Sequence, residues 1–116
     1  MLDLNFVFNT LINVATINPD GFTIDKNTLE PITAGYSVAV EATQNSFGPQ
    51  GAAKVCYYAR KHQEITALGG WYNSKNDHFY FDAVIICKTL EEAIILGKLN
   101  NQISVYDLNN NKEIEL

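Results

Sequence analysis

The chain is predicted to be an α+β protein with a ferredoxin-like core, a βαββαβ antiparallel sheet that carries two helices on one face. Three observations predict it. From Gly35 to Leu108 the spacing of apolar residues switches between strand and helix periods in the order strand, helix, strand, strand, helix, strand, which is the split β-α-β arrangement. A helix-start signature, Thr89-Leu90-Glu91-Glu92, falls where the second core helix is needed. A length of 116 residues, with 47% hydrophobic and 18% charged side chains, suits one globular core and no more. The expected division is a single domain over 1–116, with an N-terminal extension at 1–34, the core at 35–108 and a C-terminal fifth strand at 109–116.

In the extension, Leu4, Phe8, Leu11, Ile12 and Ala15 follow helical spacing, with Asp3 as N-cap and Asn18 to Gly21 as a stop. Leu2, Leu4, Phe6 and Phe8 also alternate as a strand would, so both readings stand. Gly21 to Asp25 reads as a short strand and Lys26 to Pro31 as a loop. In the core, Tyr36, Val38 and Val40 alternate with Ser37, Ala39 and Glu41, the mark of a strand with one apolar face. A loop over Thr43 to Gly51 leads to an amphipathic helix in which Ala52, Val55, Cys56 and Ala59 share a face and Lys54, Arg60 and Lys61 reach solvent. Ile65 to Tyr72, a polar turn at Asn73 to Asp77, and His78 to Cys87 form a hairpin. The second helix starts at Thr89, with Glu92 reaching back to the threonine amide, and ends near Asn100 and Asn101, which tolerate left-handed backbone. Gln102 to Leu108 alternates as a strand, and Asn109 to Asn111 turns the chain into a terminal strand at its end.

In a ferredoxin-like sheet the four core strands lie side by side as fourth, first, third and second, and the last hairpin adds a fifth beside the fourth. Alternation sends Tyr36, Val38, Val40, Phe79, Phe81, Ala83, Ile85, Ile103 and Val105 toward the helices, with Trp71 joining them. The opposite face collects Ser37, Ala39, Leu68 and Ser104 beside the candidate interaction residues Glu41, Tyr72, His78, Tyr80, Asp82 and Tyr106. Glu41 and Asp82 fall on neighbouring strands, where two close carboxylates would raise one pKa and suit acid/base work or a cation. The plainer reading puts Asp82 on a solvated face or against the N-terminal segment, and His78 at a wet hairpin end. The N-terminal helix is the expected cover for this face. Gly69 and Gly70 mark either a bulge or a position where large rings need room, such as those of Trp71 and Phe81.

Several function classes are excluded by pattern. The net charge of -5 argues against nucleic acid, even though Tyr72, Tyr80 and Tyr106 are the residue type that stacks on bases. No apolar run is long enough for a membrane span, and the N-terminus lacks the basic and cleavage signals of a signal peptide, so a cytoplasmic setting is expected. Cys56 and Cys87 have no ligand spacing and read as buried thiols, while His62 and His78 form no zinc set with them. Neither phosphate-binding glycine motif is present, and no cofactor, metal or catalytic residue is assigned.

The succession "GFTID", "GYSVAV", "GGWY", "FYFDAV" and "EEAIILGKLNNQISVYDL" resembles a group of small proteins encoded by bacteriophages and other bacterial mobile elements, over roughly Gly21 to Leu116. The likeness rests on ordered short pieces and carries over no catalytic residue. It implies a mobile-element setting, in which small proteins often bind and inhibit host machinery. The leading expectation is therefore a non-enzymatic factor that binds a host or element-encoded protein, such as a nuclease of a host defence system. A small-molecule-binding regulatory domain is the alternative, and an enzyme using Glu41, Asp82 and His78 is third. A homodimer through the terminal strand is a further option, although Lys112, Glu113 and Glu115 discourage edge pairing.

Overall fold

The structure, a computed structural model, describes residues 2–116. Its elements in order are α1 (Leu4–Ile17), β1 (Phe22–Asp25), β2 (Tyr36–Ala39), a 3-10 turn (Glu41–Thr43), β3 (Ser46–Phe47), α2 (Gly48–Lys61), β4 (Ala67–Asn73), β5 (His78–Cys87), α3 (Leu90–Leu99), β6 (Ser104–Asp107) and β7 (Lys112–Glu115). The fold is α+β, with a seven-stranded sheet ordered β1-β4-β5-β2-β6-β7 and β3 beside β5. Every pairing between these strands is antiparallel. This differs from a simple ferredoxin sheet. A strand is added outside β4, another outside β6; the strand expected from Gly35 onward is cut short by the 3-10 turn, and β3 forms within the segment expected to be a loop.

Local chemistry explains the element ends. Asp3 occupies the α1 N-cap position without a side-chain bond, and the helix stops at Asn18, whose amide and side chain both donate to the Val14 carbonyl. The predicted loop over Thr43 to Gly51 is instead β3 and the first turn of α2. Gly48 turns the chain with φ 68°, and Pro49 in the first turn is already set for a helix. At the other end of α2, the Lys26 ammonium donates to the Ala59 and His62 carbonyls at 3.1 and 3.2 Å, tying the β1–β2 connection to the helix C-terminus. The α3 cap is seen at Thr89, whose hydroxyl oxygen accepts from the Glu92 amide; Glu92 answers through the threonine hydroxyl, not the threonine amide. Asn101 takes left-handed backbone after α3, as its residue type predicts. Asp107 shapes the β6–β7 turn by accepting from the Asn109 and Asn110 amides and from the Asn110 side chain, which holds its carboxyl below the usual carboxylate range.

All three helices lie on one face. Under α1 and α2 the main core joins Leu11, Ile24, Val40, Val55, Leu68 and Phe81 with smaller residues, and a second cluster of Val38, Cys87, Ala93 and Val105 sits under α3. Helix α1 therefore does not cover the opposite face, as had been expected. Its buried Leu11 and Ala15 seat it beside α2, over β4, where it extends the helix layer. Burial of a leucine such as Leu11 contributes about 2 kcal/mol. Ile103 also departs from expectation: it precedes the first paired residue of β6 and is 86% exposed.

The hairpin phase is the main correction. β4 pairs with β5 without interruption from Ala67↔Val84 to Asn73↔His78, so Gly69 and Gly70 form no bulge. Leu68 sits opposite Ala83 and Tyr72 opposite Phe79, both on the helix side, while Trp71 sits opposite Tyr80 on the far side. Leu68 is fully buried and Trp71 is 45% exposed. Gly70 does make room for rings, but for others: a Cβ there would lie 2.8 Å from Phe22 and 2.9 Å from Phe79, whereas one on Gly69 would meet the Phe22 backbone oxygen and Val84.

Candidate interaction face

The sheet face away from the helices is built by alternation on β4 and β5 and by the short strand β3. Trp71 and Tyr80 are cross-strand partners, with rings stacked at 5.4 Å and 18°. On the other side of β5, Phe47 pairs with Tyr80 and meets its ring edge-on at 5.7 Å, while His78 stacks on Phe47 at 4.1 Å. Asn76 in the hairpin turn donates to the Tyr80 hydroxyl at 2.7 Å and fixes that ring. The result is a row of four rings across β4, β5 and β3. Its two large apolar members remain open to solvent, Trp71 at 45% and Phe47 at 42%.

The face is closed at its other end. Val84 and Ala67 point the same way as Tyr80 and Trp71, yet both are buried. With the three helices on the other side, helix packing does not account for this cover. Asp82 lies between the closed end and the rings. It faces bare Gly69 across the ladder, with Tyr80 and Val84 as its same-face neighbours on β5. Its carboxyl is partly buried, and that desolvation pushes its pKa from 3.8 up to about 6. Asp82 thus lies on the open face as expected but is partly desolvated there, and it does not meet α1, which packs on the other face.

The carboxylate pair is not assembled either. The ladder between β2 and β5 ends as the chain enters the 3-10 turn, where Thr43 takes over by accepting from the Ala83 amide at 3.0 Å. Glu41 is drawn to the end of α3 instead: its amide donates to Asn100, and its carboxylate accepts from Asn101 at 2.7 Å. No second carboxylate contributes to the elevation at Asp82. Among the described residues no group of three or more histidine, cysteine or acidic side chains is set to hold a metal ion.

Of the six residues singled out from sequence, His78, Tyr80, Asp82 and Tyr106 share the face away from the helices. Tyr72 does not. It turns to the helix side, where its hydroxyl donates to Asp77 and that bond raises its pKa. Tyr106 lies across β2 and β6 from the ring row, opposite Ser37 and Glu113, with Glu115 on the same side. Trp71 and Phe47 were missed. Phe47 carried a signal, since it is a lone aromatic in a polar segment just before Gly-Pro.

The strand residues of this face include Asp82, Glu113 and Glu115 but no lysine or arginine. Of these acids Asp82 adjoins the ring row, while Glu113 and Glu115 lie on the far edge strand. Exposed ring faces on a sheet face with acids and no cations are chemically suited to cationic side chains, above all arginine, which can stack and ion-pair. Among the described residues no helix is long and apolar enough to cross a membrane. Comparison of the chain with protein-family models, with curated proteins and with solved structures finds no match, so its assignment rests on this geometry.

Proposed function

We propose that the protein is a non-enzymatic binding factor that receives a basic segment of another protein on the Trp71–Tyr80–Phe47 row. Asp82, Glu113 and Glu115 match the charge of that segment. The observation that carries this reading is the exposed aromatic row on a sheet face whose strand residues include acids and no lysine or arginine, because large rings in the centre of a patch supply most of the energy in protein interfaces. In the mobile-element setting that the sequence resemblance implies, the partner is a host protein with a basic surface, and a defence nuclease fits that description. We further read the sheet as a ferredoxin-like core with a strand added at each edge.

Two bait proteins test the proposal, the intact chain and a Trp71→Ala, Phe47→Ala double variant, each used to capture partners from host lysate. The intact chain should retain a stoichiometric basic protein. The double variant should bind it at least about thirtyfold more weakly, since truncating an aromatic anchor costs about 2 kcal/mol or more. Exposed Tyr57→Ala, on the α2 surface, should leave capture unchanged. A partner held equally by the double variant, or no stoichiometric partner at all, refutes the reading.

A further inference from the structure

A cavity of about 340 Å³ lies on the helix side, between the start of α1, the last turns of α2 and the β1–β2 connection. It is remote from the aromatic row and independent of its reading. Leu4, Val7, Ala59 and Leu68 line its apolar part, and Lys26 and Arg60 stand at its polar part. No aspartate or glutamate is among its lining residues.

The two cations are unusually placed for an acidic chain. Lys26 is partly buried, and its ammonium is held by the Ala59 and His62 carbonyls, which leaves one of its three N–H donors. Arg60 makes one long bond, from Nη1 to the Leu2 carbonyl at 3.4 Å. Among the described residues the one ion pair is His62 with Glu64, so neither Lys26 nor Arg60 has a carboxylate partner. Lys26 cannot swing away to solvent without giving up both carbonyls. An apolar hollow with fixed positive charge at its margin selects an anion that has an apolar body.

Size narrows the class. At about 340 Å³ and partly open to solvent, the hollow is at the lower end of small-ligand sites, room for a head group with a short apolar tail. We propose that it binds a medium-chain aliphatic carboxylate, with the tail between Leu4, Val7, Ala59 and Leu68 and the head group on Lys26 and Arg60.

The test is a methyl- and amide-detected NMR titration of the full chain with octanoate, octanol and acetate. Octanoate should cause saturable shifts at Leu4, Val7, Ala59 and Leu68. Octanol, which keeps the tail, and acetate, which keeps the head, should each bind at least about tenfold more weakly, because a charge-assisted bond and apolar burial each carry that much. Arg60→Gln, at an exposed side chain, should weaken octanoate about tenfold and leave octanol unchanged. Val7→Phe should fill the hollow and abolish the octanoate shifts. Octanol equal to octanoate, octanoate unaffected by Arg60→Gln, shifts confined to other surfaces, or no saturable shift at all would each overturn the proposal.

Discussion

Replacing Asp82 with asparagine should stabilise the protein, and should do so only above a definite pH. Burial beside Tyr80 and Val84 lifts the carboxyl from 3.8 to about 6, a rise of roughly two units at about 1.36 kcal/mol each. Because the carboxyl is only partly buried, solvent screening reduces the full figure to about 2 kcal/mol. The sign follows from proton linkage. The folded state holds this proton more tightly than the unfolded state, so the contribution to stability is complete below about pH 4 and is lost as pH rises through about 6. Above that, the native chain carries a desolvated charge. Asparagine keeps the shape and removes the charge. Urea unfolding, followed by the fluorescence of Trp71, the single tryptophan, measures the difference. Asp82→Asn should gain about 2 kcal/mol at about pH 8 and close to nothing at about pH 4. The comparison isolates Asp82 because Asp107, whose carboxyl is lowered and titrates further into acid, is common to both proteins. Equal or lower stability of the variant at about pH 8 would mean that the ionised carboxylate has compensating partners, and the burial argument would fail.

Other consequences are open to direct measurement. A Cβ on Gly51 would lie 2.9 Å from the Ser46 carbonyl oxygen and 3.1 Å from its Cα. Since backbone cannot move aside as a side chain can, Gly51→Ala should cost about 3 kcal/mol in chemical denaturation. The hairpin phase predicts that Leu68→Ala lowers stability by about 3 kcal/mol while Trp71→Ala changes it by less than about 1 kcal/mol; the reverse ranking would restore the opposite phase. Both cysteines are buried, and desolvation pushes the Cys56 thiol up to about 11. Neither thiol should react with a maleimide in the native protein, and both should react in urea, as read by mass spectrometry.

What could be read in advance was whatever had a local cause. The α3 start depends on two side chains three positions apart, the turn after it on an asparagine, and the β6–β7 turn on a run of turn-forming residues. The long β5 strand announces itself by alternation. On β4 the same method has nothing to work with. Gly69 and Gly70 remove the two central side chains, and the flanking pairs, Ala67 with Leu68 and Trp71 with Tyr72, are apolar on both faces. Only the pairing with β5 decides which of each pair is buried, and that depends on where the hairpin closes. The pairing of Glu41 with Asp82 failed for a related reason. A short 3-10 turn ended the strand just before the two would meet, and its stabilising partners, Asn100 and Asn101, come from a distant part of the chain. Phe47 was hidden because β3 has only two residues, too few to show a period.

The β4–β5 hairpin also sets an order of events during folding. Its strands close across the short turn from Ser74 to Asp77, whereas β1 must find β4 by bringing Phe22 to Gly70, and β2 must find β5 by bringing Tyr36 to Cys87. Both remote partners dock on an edge that the hairpin supplies, one on each side. Loop closure penalises long separations, so the hairpin has reason to form early and to wait with both edges bare. During that wait, the inner strands of the finished sheet are its exposed ones, and a nascent chain is then most open to pairing with another copy of itself.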